Sequence, residues 1–274
     1  MALLSDMVRS SIRRVAEARE RVPEAALRAA ALGVQVPPRL KLEREGFDVV
    51  AELKLRSPSM GDLSARTVDP VGRLEAYAEG GAAICSILTE PTRFDGDLDH
   101  LRLAADVLQP YGVPAMRKDF IVDPYQVLEA RAYGASGVLL IVRMVPHERL
   151  LALMDCAAEL GLFVLLEAFS AGDLKAAAAV AREREGREEQ VLLGLNCRDL
   201  ETLDIDFGRF SQLRGRMPPA WPCVAESGVQ TPEDAARVAA LGYRLALVGT
   251  SLMRRVDAKQ AVRELVAAGR AARH

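Results

Sequence analysis

Short apolar runs alternate with longer amphipathic stretches from residue 47 to the end of the chain. The runs are typical of strands in a parallel sheet, whereas the stretches between them repeat apolar residues at helical spacing. The alternation predicts eight strands, at 47–53, 82–88, 113–116, 137–142, 163–167, 191–195, 223–225 and 245–248. It also predicts eight helices, near 69–79, 97–108, 124–133, 146–160, 171–183, 207–214, 231–241 and 257–271.

A parallel βα barrel is the fold that this alternation predicts. Eight strands and eight helices close such a barrel, and its usual length is close to the 274 residues of this chain. We therefore predict an α/β protein in which residues 47–274 form a (β/α)8 TIM barrel. The alternative is an open doubly wound sheet. It would need a glycine-rich fingerprint after its first strand, and the sequence has none there.

Residues 1–46 have a different pattern, which predicts an N-terminal helical extension. Apolar residues such as Met7 and Val15 recur at helical spacing between arginines and glutamates, and an alanine-rich stretch follows Pro23. Pro37-Pro38 marks a linker before the first strand. Since an apolar stripe must be buried, we expect the extension to pack on the barrel and the chain to form a single domain. An ordinary surface helix is the alternative.

The composition argues against several classes of protein. Lys and Arg number 36 and Asp and Glu 38, so a nucleic-acid or membrane surface is not expected. The apolar start, Met1 to Leu4, is too short for the apolar region of a signal peptide, and no run approaches a membrane span. We expect a cytoplasmic protein, monomeric or weakly dimeric, with no nucleic-acid or membrane partner.

Neither a metal nor a cofactor is expected. The four cysteines are scattered without C-x-x-C spacing and are typical of reduced, buried thiols. The three histidines form no ligand cluster. No Ser-His-Asp set or Walker loop suggests a competing chemistry.

Charged and amide side chains follow most of the predicted strands. Lys118 is the most informative of them, because it lies between the third strand and a helix with Pro124 in its first turn. In a βα barrel, the chemistry lies at the carboxyl ends of the strands. Each position alone is weak evidence, since loops are usually polar, but together they predict one charged mouth. Its members are Glu52, Lys54, Lys118, Glu167, Asn196, Arg198 and Glu226.

The loops after the last two strands predict a phosphate site. Ser227-Gly228 follows the seventh strand and Gly249-Thr250-Ser251 follows the eighth. Small residues leave backbone N–H groups accessible, and barrels often bind phosphate in these two loops. Tight turns without a ligand are the alternative. With lysines and glutamates at the same mouth, the residues indicate acid–base chemistry on a small phosphorylated metabolite.

Seven motifs, in order along the chain, resemble those of the indole-3-glycerol phosphate synthase family. They are residues 51–61, 86–90 with 94–96, 117–120 with 125–126, 166–167, 194–200, 226–229 and 248–253. The resemblance covers nearly the whole chain, including the helical extension. It implies ring closure of 1-(2-carboxyphenylamino)-1-deoxyribulose 5-phosphate, with loss of carbon dioxide and water, to give indole-3-glycerol phosphate in tryptophan biosynthesis.

The resemblance also implies roles for the site residues. Lys118 resembles the general acid that protonates the keto oxygen of the substrate. Glu167 resembles the carboxylate that assists loss of the hydroxyl group, and Lys54 resembles a second lysine that pairs with substrate anions. The remaining matches are the orienting residues Glu52, Asn196 and Glu226, the substrate or phosphate contacts Ser57, Arg198, Ser227, Gly228, Gly249, Thr250 and Ser251, and the apolar walls Phe94 and Phe120. For Ser227, the resemblance also implies a place among the catalytic residues.

Some features depart from the family pattern. Cys197 stands where the family often has Asn or Ser, and Ala168-Phe169 follows Glu167 where the motif commonly continues with a polar residue. The extension has no aromatic residue before Phe47, so any wall that it gives the site must be aliphatic. These departures concern substrate fit more than reaction type.

Two other functions stay open at this point. One is a non-catalytic paralog that binds a phosphorylated ligand, and the other is a phosphosugar lyase that uses Lys118 as a Schiff-base nucleophile. The isomerase of the preceding pathway step shares the barrel but would need a cysteine base near the first strand, which has none.

Overall fold

The computed structural model describes residues 2–43, 46–54, 56–57, 61–62, 69–187, 189–200 and 202–273. Its helices are α1 (Ala2–Arg21), α2 (Glu24–Gly33), α3 (Pro70–Gly80), α4 (Pro91–Phe94), α5 (Leu98–Leu108), α6 (Pro124–Ala132), α7 (His147–Glu159), α8 (Ala171–Glu183), α9 (Arg209–Arg214), α10 (Pro232–Ala240), α11 (Thr250–Arg254) and α12 (Ala258–Ala271). Its strands are β1 (Asp48–Leu53), β2 (Arg56–Ser57), β3 (Gly61–Asp62), β4 (Ile84–Leu88), β5 (Ala115–Lys118), β6 (Gly137–Ile141), β7 (Phe163–Ala168), β8 (Val191–Asn196), β9 (Cys223–Glu226) and β10 (Leu245–Val248).

Eight parallel strands close into a barrel in the order β1-β10-β9-β8-β7-β6-β5-β4. Strand β1 completes the closure because it pairs with both β4 and β10. The predicted α/β fold and (β/α)8 TIM barrel are therefore confirmed. The other two strands, β2 and β3, form a small antiparallel hairpin in the loop after β1. Strands of this length are too short to give a hydrophobic pattern, so the sequence did not predict them.

Alternation along each strand separates the barrel interior from the surrounding helices. Residues two apart point to the same face, so Glu52 follows Val50 and Lys118 follows Met116 on the inner side. One apolar cluster fills the interior. Its members are Leu40, Val50, Ile84, Met116, Leu139, Ile141, Phe163, Leu165, Phe169, Leu192, Val224, Leu245 and Leu247. This apolar layer fills the barrel beneath the carboxyl ends of the strands, and the polar residues at those ends form the mouth.

Several polar residues expected in loops lie instead at the ends of strands. The third barrel strand covers Ala115–Lys118, not 113–116, because Pro114 has no N–H to donate and only its carbonyl pairs, with the N–H of Cys85. Lys118 is thus the last residue of β5. Asn196 and Glu226 are likewise the last residues of β8 and β9. Strand pairing fixes the backbone beneath all three side chains.

Two short helices were not predicted. The first, α4, contains Phe94, which was expected in a loop. It begins there because the buried carboxylate of Glu90 accepts the N–H groups of Thr92 and Arg93. The second, α11, begins at Thr250 directly after β10. The eight predicted helices correspond to α3, α5 to α10 and α12, with small differences at their ends.

The N-terminal extension contacts the barrel along its length. The hydroxyl of Ser11 donates to the carbonyl of Phe120 at 2.6 Å, and the hydroxyl of Tyr125 donates to two carbonyls near the end of α1. Leu40, in the linker, belongs to the apolar cluster of the barrel interior. These contacts support the predicted packing of residues 1–46. The division of the chain at residue 46 stays a prediction.

The cysteines are all buried and free, as the sequence predicted. Within the described ranges, no helix is long and apolar enough to cross a membrane. The same part of the chain has no group of three or more His, Cys, Asp or Glu side chains placed to hold a metal ion.

Candidate active site

A cavity of about 370 Å³ opens at the carboxyl ends of the barrel strands. This volume suits a small metabolite. All the predicted site residues except Ser57 line it. They are Glu52, Lys54, Phe94, Lys118, Phe120, Glu167, Asn196, Arg198, Glu226, Ser227, Gly228, Gly249, Thr250 and Ser251. Ser57 lies in β2, and its side chain is outside the described part of the chain.

The carboxylate of Glu52 lies between two lysines in this cavity. Its Oε1 is 3.3 Å from Nζ of Lys54, and its Oε2 is 3.6 Å from Nζ of Lys118. Nζ of Lys54 also donates to Oγ1 of Thr250 at 2.9 Å. Glu52 is buried, whereas both lysines are partly exposed. One carboxylate thus holds two ammonium groups, and Lys54 connects it to the loop after β10.

These charges set the protonation of the cluster. Burial disfavours the ionised form of Glu52, but the ammonium groups of Lys54 and Lys118 outweigh burial and lower the pKa of this carboxyl. Burial also disfavours the ammonium form of Lys118, but three nearby glutamates outweigh it and raise the pKa of this lysine. Near neutral pH, Glu52 is therefore ionised and Lys118 carries its proton.

Asn196 orients the carboxylate of Glu167. Nδ2 of Asn196 donates to Oε1 of Glu167 at 2.7 Å. Oδ1 of Asn196 accepts the backbone N–H of Arg198 at 3.0 Å. Because only the oxygen end of the amide can accept that N–H, the nitrogen end must face Glu167. Asn196 is therefore a fixed donor that holds Glu167 at the mouth of the barrel.

Glu226 completes the polar set from the end of β9. It is buried, and neither of its carboxyl oxygens has a hydrogen-bond donor among the residues that the structure describes. Burial raises the pKa of this carboxyl well above its ordinary value, and the charge of Glu167 raises it further. The protonated form of Glu226 is therefore more favoured than that of an exposed glutamate.

Two glycines provide the space that these carboxylates occupy. A Cβ on Gly194 would lie 1.7 Å from Oε1 of Glu226, and a Cβ on Gly249 would lie 2.5 Å from Oε1 of Glu52. Any other residue at either position would collide with a carboxylate. The glycines thus let each carboxylate lie across a neighbouring strand.

Apolar side chains form the wall on the side of β4, β5 and β7. The ring centroids of Phe94 and Phe120 are 6.4 Å apart. Phe169 adds a third ring, and the guanidinium of Arg143 lies 5.2 Å from its centroid. Leu3 of α1 also lines the cavity, so the extension contributes the aliphatic wall that its composition allows. A flat aromatic group would fit against this wall.

Small residues form the wall on the side of β9 and β10. Ser227 and Gly228 have φ angles of +65° and +78°. A left-handed backbone is costly for serine, and such strain is typical of ligand-binding segments. The hydroxyl of Ser251 is buried and has no hydrogen-bond partner within the described ranges. The guanidinium-bearing Arg254 lines the same cavity from α11. Hydroxyl and guanidinium groups together suit a phosphate.

The sequence missed part of the lining. The missed residues are Leu3, Leu88, Asp119, Leu139, Ile141, Leu200, Leu203, Ile205, Val229, Gln230, Leu247 and Arg254. Most are apolar, and periodicity does not distinguish an apolar residue at the mouth from one in the core. A signal was available for Phe169, since it lies two residues after Glu167 and continues the inner face beyond the strand.

Cys197, the other departure from the family motifs, does not line the cavity. It follows Asn196, and its side chain belongs to the cluster outside the barrel wall. Burial raises the pKa of its thiol to about 12. Cys197 contacts the site from behind: its backbone N–H donates to the carbonyl of Glu226, and its sulfur lies 3.0 Å from where a Cβ on Gly228 would be.

Comparison with known proteins agrees with this geometry. Residues 4–265 match the family model described as indole-3-glycerol phosphate synthase. The indole-3-glycerol phosphate synthase of Nocardioides sp. is 41% identical over 267 residues, which cover 97% of this chain and 98% of the relative. That of Beutenbergia cavernae is 43% identical over 243 residues, which cover 85% and 84%.

A solved structure supports the fold alone. The 3-hexulose-6-phosphate synthase of Salmonella typhimurium is 12% identical, with a TM-score of 0.63 over 81% of this chain and 98% of that one. The family match is far more specific, because it spans nearly the whole chain at about 40% identity to named members. It confirms the predicted family. The chain belongs to the indole-3-glycerol phosphate synthase family, the carboxy-lyases of tryptophan biosynthesis that act on a phosphorylated small molecule.

Proposed function

We propose that the enzyme binds 1-(2-carboxyphenylamino)-1-deoxyribulose 5-phosphate in this cavity and closes its indole ring. The reaction releases carbon dioxide and water and forms indole-3-glycerol phosphate. The observation that carries this proposal is the cluster of Lys54, Glu52 and Lys118, which opens into one cavity with the small-residue loops after β9 and β10. The reaction needs a proton donor, a carboxylate and an anion site within reach of one substrate. Membership of the family supports the same reaction.

Lys118 is the general acid of the ring closure. Its raised pKa keeps it in the ammonium form, which is the form that can protonate the keto oxygen as the ring carbon attacks. Glu52 holds Nζ of Lys118 from 3.6 Å away, and the side chain is partly exposed to the cavity. The acid is therefore charged, positioned and accessible before the substrate arrives.

Glu167 acts later, when the hydroxyl group leaves. Its carboxylate stabilises the positive charge that forms on the anilino nitrogen, or takes a proton from the intermediate. Asn196 keeps this carboxylate in place through the 2.7 Å hydrogen bond. Lys54, bonded to Thr250, pairs with a substrate anion beside the loop after β10.

The two walls orient the substrate. The aromatic ring lies against Phe94, Phe120 and Phe169, and the phosphate lies at the loops that contain Ser227, Gly228 and the 249–251 segment. These walls belong to different strands, so the substrate spans the barrel mouth. The reacting carbon atoms then lie between them, where the lysine and glutamate side chains are found.

The cluster favours this proposal over its alternatives. A Schiff-base lysine must be neutral to attack a carbonyl, and the raised pKa of Lys118 disfavours the neutral amine. A binding module would need only the phosphate loops, but this cavity also contains the hydrogen-bonded pair of Asn196 and Glu167 and the buried carboxyl of Glu226. The family match favours the main proposal over both alternatives as well.

A direct assay tests the proposal. The purified chain is mixed with the carboxyphenylamino substrate, and the fluorescence of the indole product is followed. Indole-3-glycerol phosphate should form with release of one carbon dioxide for each product molecule. Sodium borohydride added during turnover should trap no adduct on Lys118. No indole product, or a trapped lysine adduct, would contradict the proposed reaction.

We further propose that the chain works in the cytoplasm as a monomer or weak homodimer. The many apolar residues buried within the barrel are consistent with that state. Sedimentation at several protein concentrations tests it, and a stable larger assembly would contradict it.

A further inference from the structure

The carboxyl groups of Glu167 and Glu226 meet across strand β8. Glu167 pairs in register with Gly194 of β8, and Glu226 pairs with Asn196 of the same strand. The carboxyl of Glu226 leans over Gly194, since a Cβ there would be only 1.7 Å from its Oε1. The absence of a side chain at Gly194 thus lets two acids from strands on either side come together.

The surroundings of Glu226 do not suit an anion. Glu226 is 1% exposed, and neither of its oxygens meets a donor N–H or O–H among the described residues. Its close neighbour is Glu167, another carboxyl group, because Glu167 pairs with Gly194 and Glu226 leans over the same glycine. Two neighbouring carboxylates repel each other, whereas one proton between them forms a hydrogen bond.

The charged groups that face Glu226 come from three other strands. They are Glu167 from β7, Lys118 from β5 and Glu52 from β1. Its direct neighbour β8 contributes Gly194 and Asn196 to this region, β10 contributes Leu247, and Gly249 follows β10; none of these titrates. The positive charges of Lys54 and Lys118 balance the negative charges of two carboxylates, those of Glu52 and Glu167. A third ionised carboxylate would leave one buried negative charge without a counterion.

The hydrogen bonds of Asn196 decide which acid carries the proton. Its Oδ1 is occupied by the N–H of Arg198, so its Nδ2 is the end that donates to Glu167. A carboxylate that accepts from an amide is stabilised in its ionised form. Glu226 receives no such donor. The asymmetry therefore assigns the negative charge to Glu167 and the proton to Glu226.

We propose that Glu226 is protonated in the free enzyme and donates a hydrogen bond to Glu167, so that the two acids share one proton and one negative charge. In this arrangement Glu226 is a positioning residue that acts through Glu167. It turns the Glu167 carboxylate and keeps it ionised, ready to act as a base or charge stabiliser. This role rests on the proposed function, but the protonation state of the free enzyme does not.

Infrared spectroscopy of the free, full-length protein tests the protonation state without substrate. A band of a protonated carboxyl should be present near neutral pH and should move when glutamate is labelled with carbon-13. It should disappear in Glu226→Gln and stay in Glu148→Gln, which changes an exposed glutamate on α7. A native protein without the band, or a Glu226→Gln variant that keeps it, would overturn the proposal. If the variant does not fold, the native spectrum alone decides.

Kinetics test the positioning role. Glu226→Gln keeps a neutral side chain with an N–H that can donate to Glu167, so its kcat should stay within roughly tenfold of the native value. Glu226→Ala removes the donor, so its kcat should be at least roughly tenfold lower than that of Glu226→Gln. The native kcat should fall at alkaline pH as the pair loses its proton, and the Gln variant should keep only the fall at higher pH at which Lys118 loses its proton. A Gln variant as impaired as the Ala variant would show that Glu226 must be charged.

The two sets of measurements separate the possible failures. If the infrared band is present but no indole product forms, the proposed reaction fails and the shared proton stands. If the product forms but the band is absent, the reaction stands and the shared proton is wrong.

Discussion

The guanidinium of Arg14 in α1 holds the carboxylate of Asp119, the residue after Lys118, through hydrogen bonds of 2.8 and 3.1 Å. Asp119 is buried and also accepts hydrogen bonds from Arg117 at 3.0 Å and Thr89 at 2.8 Å. The first helix therefore contacts the segment that carries the proposed general acid. Arginine and aspartate at these positions tie the extension to the chemistry of the mouth.

Arg14→Ala should impair both stability and turnover. It removes two hydrogen bonds to a buried carboxylate, so the free energy of unfolding should fall by roughly 1.5–3 kcal/mol. The kcat should fall more than the KM rises, because Lys118 loses its fixed position while the phosphate loops are untouched. Urea unfolding and steady-state kinetics measure both effects. Arg13→Ala, an exposed neighbour on the same helix, is the control and should change neither.

Asp119→Asn should make stability less dependent on pH in acid. Burial opposes the ionised form, but Arg117 and Arg14 outweigh it and hold the pKa of Asp119 well below its usual range. A depressed folded-state pKa adds stability above the unfolded value of about 4, and this stability is lost as the pH falls through that value toward the folded one. The free energy of unfolding of the native protein should exceed that of the variant by about 3–5 kcal/mol at pH 7. A difference that stays constant down to pH 3 would contradict this account.

Lys118→Ala should abolish most of the turnover without preventing binding. A lost general acid typically costs roughly 10²-fold or more in rate. The phosphate loops and aromatic wall remain, so the dissociation constant of an unreactive substrate analogue should change little. Stopped-flow turnover and titration calorimetry separate the two effects. Lys175→Ala, on the exposed side of α8, is the matched control. Near-native turnover in Lys118→Ala would exclude this lysine as the acid.

Ser251→Ala should weaken phosphate binding selectively. The Ser251 hydroxyl is buried without a partner in the described part of the chain and lines the small-residue wall. We expect a several-fold rise in KM and in the inhibition constant of inorganic phosphate, with little change in kcat. Ser211→Ala, at an exposed position in α9, serves as control. Gly249→Val would also raise KM, but its Cβ would strike Glu52, so it cannot isolate the anion site. Equal inhibition by phosphate in Ser251→Ala would place the anion elsewhere.

Glu167→Gln distinguishes charge from orientation. The amide oxygen can still accept from Asn196, so the geometry should survive, but the negative charge is lost. We expect substrate to bind while single-turnover rates fall by at least roughly 10²-fold, close to the loss in Glu167→Ala. A Gln variant within a few-fold of the native rate would reduce Glu167 to an orienting role.

The position of the active site followed from the sequence because a closed barrel has one mouth. If the apolar runs are eight parallel strands, the residues directly after them all lie at the same end of the barrel. Lys118, Glu167 and Glu226 could therefore be grouped without knowing any distance. The short helix α4 was not predicted, since a buried capping carboxylate begins it, and the predicted ends of the third strand were wrong because of a proline.

The tertiary structure alone decided which charges meet. The contact of Glu226 with Glu167 depends on the missing side chain of Gly194, and the link between Arg14 and Asp119 joins residues 105 positions apart. Neither contact leaves a periodic trace, because burial and protonation are set by neighbours that are distant in the chain. Local patterns of apolar and polar residues determined the strands and the mouth, whereas packing across the barrel determined the protonation of its acids.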